Sequence, residues 1–416
     1  MISAERQLAE RIALQPWSYR ATNLSSLVWL KRILDFPDND KFGKDAMVKD
    51  KLKIGFVRRG YSPSGGAEAY LKRLAYGVVD LDHEVVLLAT DEWQPNEWPF
   101  GEIVHLRAKS AIGFADQVEK QRSAFHCDVL MSLERIWRCD VYRAGDGVHQ
   151  AWLNRRQKFE GPLQRFARKF NRKHRDILRL EQSLFGDRGA ERVIANSKMV
   201  KDEIFDLYSY RPDKIDIIPN GIPFNHFQFS PEVRRKSRLK LDLASDDLAV
   251  LFVGSGWERK GLRYAIAAIE SLSNSKLRLL VAGRGNVNRY RSARVQFLGE
   301  VSDPLPIYAA GDIFILPTIY DPFSNASLEA MACGLPVITS RANGFCEIME
   351  DRIHGTIVDQ PDNVSDLANA LEVWSDPTRR AAARPSILKC AARHDISKNV
   401  EQTIEILVQA AAKPSA

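Results

Sequence analysis

The chain has 416 residues, 45% of them hydrophobic and 27% charged, with a net charge of +7; it is long for one domain and comfortable for two soluble ones. No apolar run approaches the ~20 residues of a membrane-spanning helix, and MISAERQLAERIALQPW carries acids where a secretory leader has a basic end, so a cytoplasmic location is expected. The five cysteines (Cys127, Cys139, Cys333, Cys346, Cys390) are scattered without zinc or redox spacing, which agrees with a reducing compartment.

Residues 1–50 form an N-terminal extension, with helical patterning over Ala4–Leu14 and an apolar stretch Leu27–Phe36. It reads either as helices packed on the main body or as a surface anchor. The body begins at Leu52 with the strand LKIGFV, the loop RRGYSPSGG, a helix with apolar Ala67, Tyr70, Leu71, Leu74 and Val78, and the strand HEVVLLAT. That order opens a doubly wound α/β domain, in which ligands sit beyond the strand ends. The Gly65-Gly66 pair either admits a ligand close to the backbone or makes a plain tight turn.

CDVLMSL and VIAN supply further strands. Between them CDVYRAGDGVHQAW gathers Asp140, Arg143, Asp146 and His149 in a glycine-containing loop. These groups make either a polar binding loop or a structural loop whose aspartates cap helices. From Arg155 to Arg179 there are ten Lys/Arg and two acids. Phe159, Leu163, Phe166 and Phe170 recur there at helical spacing, as in a basic amphipathic helix. Such a helix lies on an anionic membrane surface or buries its stripe in the core; no nucleic-acid recognition module accompanies it.

IDIIP leads into the turn Asn220–Pro223, and the charged SPEVRRKSRLK after it reads as an interdomain connection. The α/β pattern then restarts. LAVLFVGSG gives a strand and a glycine loop (Gly254–Gly256), WERKG leads into a helix, and LRLLVAGRG, VQFLGEV and IFILP continue the set. The expected organisation is 1–50 extension, 51–222 first Rossmann-like domain, 223–395 second Rossmann-like domain, and 396–416 a helix returning to the first.

The densest segment is Ile313–Thr339, a β-α-β unit with Asp321 and Glu329 separated by seven residues. Ser324 or Asn325 is a good N-cap, and Gly334 with Pro336 ends the helix. Unpaired amides at the helix start suit a phosphate, and Glu329 lies roughly 7 Å further along the axis at 1.5 Å per residue. Read locally, the two acids either flank a nucleotide diphosphate or are solvated on a surface helix.

Taken together, the Gly65-Gly66 loop, VIANSKMVKDEI, IDIIPNGI, VLFVGSGWERKGL, LLVAGRG and the Asp321–Glu329 unit followed by GLPVI resemble the retaining glycosyltransferases of family 4. Within that family the chain is similar to the lipopolysaccharide core glucosyltransferases. The resemblance implies a GT-B fold, two Rossmann-like domains facing across a cleft, and residue roles by position. Glu329 binds donor ribose, Asp321 holds hydroxyls of the transferred sugar, and the backbone of Phe323, Ser324 and Asn325 cradles the diphosphate. Arg259 and Lys260 neutralise the leaving group, unless they are an ordinary basic turn. Gly65, Gly66, Gly254 and Gly256 line the cleft, with Gly283 and Arg284 near the base; Asp140, Arg143, Asp146 and His149 fall on the acceptor side.

The implied donor is a nucleotide sugar, UDP-glucose first. Asp321 stands where the family usually has Glu, which opens the identity of the sugar to galactose or an N-acetylhexosamine. The implied acceptor is a lipid-linked saccharide, the lipopolysaccharide core, with the protein peripheral on the inner membrane face through Arg155–Arg179. Capsular or exopolysaccharide synthesis, or a GT-B-like sugar-nucleotide epimerase or hydrolase, are the alternatives. No metal, cofactor or nucleic acid is expected.

Overall fold

The computed structural model describes residues 51–62, 66–162, 165 and 171–412. The expected extension 1–50, Gly65 and the middle of the basic stretch, including Leu163, Phe166 and Phe170, lie outside them.

Two sheets organise the chain. The first has seven strands in the order β3-β2-β1-β4-β5-β6-β7: β1 Lys53–Val57, β2 Glu84–Ala89, β3 Glu102–His105, β4 Val129–Ser132, β5 Cys139–Arg143, β6 Ala190–Ala195 and β7 Ile215–Ile217. The second has six, in the order β10-β9-β8-β11-β12-β13: β8 Leu248–Val253, β9 Leu277–Ala282, β10 Val295–Gly299, β11 Ile313–Leu316, β12 Val337–Ser340 and β13 Gly355–Val358. All their pairings are parallel. Parallel strands need crossover helices on both faces, so their residues are buried on both sides. The continuous apolar runs of β8 and β11 obey this, being buried at every position. In each sheet the strand order reverses beside the first strand, at β1/β4 and at β8/β11. A crevice opens beyond the strand ends at such a reversal, and Asp321, Lys260 and Arg143 line it.

The halves meet across that crevice through specific bonds. Ser197 Oγ donates to the Pro322 carbonyl (2.9 Å), and Glu347 accepts from the backbone N–H of Lys198 and Met199 (2.6 and 2.7 Å). Tyr320 donates its hydroxyl to Glu203 (2.8 Å) and accepts from Val148 N–H (2.9 Å). The last helix, Ile396–Ala411, lies on the first sheet's layer: Ile396, Val400 and Leu407 share a core with Ile54 and Leu71.

One expectation is corrected. SPEVRRKSRLK is no connecting strap but the helix Pro231–Lys240, built into the second half. Arg234 and Arg238 pair with Asp312 at 2.7 and 3.2 Å, and Arg238 also donates to the carbonyls of Ala310, Ala244 and Asp247. Long guanidinium stems can be buried when their heads meet a carboxylate and carbonyl ends, so charge density alone is a poor guide to this segment.

The expected basic amphipathic helix falls largely on residues outside those described; the described parts of the stretch flank it. The helix His149–Arg156 ends in a single tight turn at Gln157–Phe159, and a new helix starts at Arg172, capped by Asn171. Its Leu180 and Leu184 are in the core, while Arg172, Lys173, Arg175 and Arg179 are exposed. Phe159 packs against Tyr264 of the second half, ring centroids 6.2 Å apart. Among the described residues, no helix is long and apolar enough to cross a membrane.

Candidate active site

The chain leaving β11 carries Asp321 into the crevice. Its backbone is pinned on both sides, with Asp321 N–H donating to the Ala342 carbonyl and Gly344 N–H to the Asp321 carbonyl (3.0 and 2.9 Å). Asp321 is only 5% exposed, which removes the solvated-surface alternative for this acid. The loop after β8 supplies its partners: Lys260 Nζ lies 2.8 Å from the carboxylate and Arg259 Nη1 3.8 Å, the latter also donating to the Tyr320 carbonyl. Gly254 makes this possible. Its φ is +138°, and a Cβ there would stand 2.8 Å from Lys260 Cε, so only a bare backbone lets the lysine stem cross. Burial alone would push the Asp321 carboxyl up. The charges of Lys260 and Arg259 and the lysine hydrogen bond outweigh it, so the pKa lies below the usual carboxylate value.

The helix Asn325–Ala332 begins beside Asp321. Ser324 is its N-cap, accepting from Ser327 N–H (3.2 Å), and Asn343 Oδ1 accepts from Ser324 N–H (3.2 Å). Glu329, one turn further along, accepts the Tyr308 hydroxyl at 2.8 Å. Burial pushes its carboxyl up, against the Tyr308 bond and the charges of Arg73 and His226. The pKa values of the two acids of one short segment are therefore shifted in opposite directions.

They also open into different parts of the crevice. Asp321 lines a cavity of about 340 Å³ with Arg259, Lys260, Phe323, Ser324, Asn325, Arg58, Arg143 and Asp146. Glu329 lines a groove of about 580 Å³ with Gly254, Gly283, His226, Glu300 and Asp303. Gly66, Arg73, Gly221 and Asn325 border both, so the two spaces adjoin. No group of three or more His, Cys, Asp or Glu among the described residues is arranged to hold a metal ion.

Several expected residues stand elsewhere. Asp140 lies on β5, where it pairs with Arg122 at 2.8 Å and accepts from Leu130 N–H at 2.6 Å, so its carboxylate is consumed in joining β4 and β5. His149 opens a helix; its backbone N–H donates to Glu181 and its Nε2 lies 3.0 Å from His174 Nδ1. Burial and then Arg135 push the His149 pKa down to about 4. Neither residue borders the crevice, because the loop is shorter than the sequence implied, running only between β5 and that helix. Arg284 is exposed and 3.6 Å from Glu300, and Gly256 (φ +76°) faces open space.

Several residues that act on the crevice have no role assigned from the sequence alone. Tyr308 and Arg73 act on Glu329 from distant segments. Asn220, read as a turn residue, bridges the halves: it accepts from Arg143 Nη2 and donates to Asn325 Oδ1, both at 2.8 Å. Tyr320 is discoverable as the neighbour of Asp321, whereas nothing local marks Tyr308.

Comparison with known proteins accords with this architecture. A family model described as glycosyltransferase family 4 matches residues 64–226, and one described as glycosyl transferases group 1 matches residues 247–375. A lipopolysaccharide core biosynthesis glycosyltransferase, LpsE of Rhizobium meliloti, is 31% identical over 192 residues, covering 44% of this chain and 54% of the relative. A D-inositol 3-phosphate glycosyltransferase of Thermobispora bispora is 27% identical over 243 residues, covering 53% and 56%. The chain thus spans about half the length of the curated relatives it matches. Among solved structures, WaaG, a glycosyltransferase involved in lipopolysaccharide biosynthesis, superposes with a TM-score of 0.73 at 21% identity over 85% of this chain and 99% of its own. Anabaena HepE in complex with UDP-glucose gives 0.66 at 21%, over 86% and 100%; at such identities these two speak for the fold. With one model on each half and two parallel Rossmann-like sheets flanking a shared crevice, the chain belongs to glycosyltransferase family 4, has the GT-B fold, and is similar to the lipopolysaccharide core enzymes of that family.

Proposed function

We propose that the chain is a retaining hexosyltransferase that moves a hexose from a nucleotide sugar, UDP-glucose first, to a lipid-linked saccharide of the lipopolysaccharide core type. The observation that carries this reading is the buried Asp321–Lys260 pair at the start of the helix Asn325–Ala332, with Glu329 in the adjoining groove. Glu329 accepts hydrogen bonds from the ribose hydroxyls, and the diphosphate lies over Phe323, Ser324 and Asn325 against Arg259 and Lys260. Asp321 orients the hexose. The Lys260 ammonium has three donors, so it can keep Asp321 and still meet a phosphate oxygen.

The bond between the anomeric carbon and the diphosphate oxygen breaks while the acceptor oxygen bonds to that carbon on the same face. The acceptor proton passes to the leaving phosphate oxygen. Negative charge grows on the diphosphate, and fixed cations with a helix N-terminus in a sheltered cleft stabilise it without reorganising; one such group is typically worth about 3–4 kcal/mol. Neither a metal nor another cofactor enters this reading. UDP-glucose in the Anabaena neighbour supports the donor, and LpsE and WaaG support the acceptor class.

Arg172, Lys173, Arg175 and Arg179 would meet an anionic membrane by charge, since the apolar side of their helix is spent on the core. Changing Arg165, Arg172, Lys173 and Arg175 together to Glu should weaken binding to anionic liposomes; unchanged binding removes the membrane claim. A second reading, a soluble phosphorylated polyol as acceptor, is favoured by the D-inositol 3-phosphate relatives. A thermal-shift panel of UDP, GDP, ADP and their sugars tests the donor site, because a ligand of the native state raises the melting temperature. No rise with any of them would contradict the reading.

A further inference from the structure

Among the described residues, Arg143 carries a charge in the crevice with no carboxylate paired to it. Arg143 stands at the end of β5, is 3% exposed, and borders the cavity that Asp321 also lines. Its Nη2 donates to Asn220 Oδ1, and its guanidinium lies 4.2 Å from the Tyr70 ring centroid. Its Nη1 is buried with no hydrogen-bond partner among the described residues. The neighbouring cations are otherwise engaged: Arg58 with Glu68 and Glu134, Lys260 with Asp321. A buried guanidinium without a carboxylate is a costly arrangement that persists when something else supplies the anion. Burial lowers its pKa, and the Tyr70 phenol acts the other way.

A second feature points into the same space. The helix Gly66–Asp80 starts at the cavity wall, where Gly66 and Ala67 line it beside Tyr70. A helix N-terminus favours negative charge, and a guanidinium fork binds phosphate or carboxylate in a bidentate manner. Asn220 sits between Arg143 and Asn325, so Arg143 is one residue removed from the wall assigned to the donor diphosphate.

Resting on that donor assignment, we propose that Arg143 and the start of the helix Gly66–Asp80 form an oxyanion subsite for a phosphate or carboxylate group carried by the acceptor. The enzyme then selects acidic acceptors and aligns their hydroxyl by holding a charged neighbour group. Asp146 lines the same cavity, and its carboxylate repels acceptors whose charge is misplaced.

The test uses the full chain saturated with UDP and titrated at constant ionic strength with sodium phosphate or, in a parallel arm, sodium acetate. Stability should rise with the preferred anion, and the larger response tells phosphate from carboxylate. Arg143→Gln should lose about tenfold or more of that anion affinity while UDP affinity moves by less than about threefold. Arg143→Lys, which keeps the charge without the fork, should fall between. An anion response equal in Arg143→Gln and the parent chain overturns the subsite. So does a tenfold loss of UDP affinity with the anion response intact, which would give Arg143 to the donor. Arg143→Met should melt no lower than the parent without ligand, since it removes a buried unpaired charge; a clear drop would show that the guanidinium serves the fold and would overturn the proposal. If UDP does not bind, the donor reading fails, and the anion arms run without UDP still decide the subsite.

Discussion

Asp321 and Glu329 lie on one short segment, yet they live in opposite environments. Asp321 faces Lys260 and Arg259 and is held ionised; Glu329 faces a phenol and a buried wall, and its proton is harder to remove. The difference comes from what the fold brings to each, not from the segment itself. The loop after β8 delivers two cations to the first acid, while the helix before β11 delivers Tyr308 to the second. A carboxylate locked in an ion pair suits charge that must stay fixed during bond breaking. One that accepts neutral hydroxyls suits ribose.

The largest break in this contrast should come from the cation side. Lys260→Met ought to lower turnover about 10²–10³-fold, and it strands a buried carboxylate, so its melting temperature should fall as well. Asp321→Ala is expected to depress transfer by a similar factor while UDP binding stays within about twofold, because the freed Lys260 remains available to phosphate. A mutant with normal transfer and poor UDP affinity would reverse the assigned roles.

Intermediate effects belong to Glu329. Glu329→Gln should weaken UDP by about tenfold, the worth of one or two hydrogen bonds to a charged group. The apo protein should respond in the other direction. Because the folded pKa of Glu329 is raised, its stabilising contribution is complete below the ordinary carboxylate range and is lost as pH climbs through the raised value. The Gln variant, which mimics the protonated form, should therefore melt above the parent at neutral pH, with the gap closing below about pH 4. Asp321 has the reverse sign. Its depressed pKa gives stability that is present at neutral pH and lost as pH falls from about 4 through the lower folded value. A melting profile of Asp321→Asn that parallels the parent at every pH would dissolve the contrast.

The smallest effect is expected from Tyr308→Phe. It removes one hydrogen bond worth about 1 kcal/mol, should soften UDP binding a few-fold, and should leave Asp321-dependent turnover alone. Calorimetry and steady-state kinetics on the same preparation would show whether the loss stays on the Glu329 side.

Much of this is legible in the residues themselves. Parallel strands buried on both faces announce themselves as apolar runs, and Ser324, Gly334 and Pro336 mark helix ends locally, so the β-α-β unit and most strands of both sheets can be placed from the amino-acid pattern; β3 and β13 are too short and too polar to stand out, and β5 reads as a loop because its glycine-containing continuation dominates. The two acids stand out because they flank that unit. What escapes such a reading depends on distant partners. Arg234 and Arg238 look like a solvated link because Asp312, which buries them, comes more than seventy residues later. Asp140 looks functional because nothing local reveals Arg122 beside it. Tyr308 reaches Glu329 from the core, and Asn220 reaches the crevice, through crossings between segments, and such pairings leave no periodicity to read.

The division of labour between the two acids is tested most directly by titration calorimetry of UDP into Asp321→Asn and Glu329→Gln, side by side with the parent chain. The account predicts that Glu329→Gln loses about tenfold in affinity and that Asp321→Asn binds as tightly as the parent or more so. Equal losses in both variants, or a loss confined to Asp321→Asn, would contradict it.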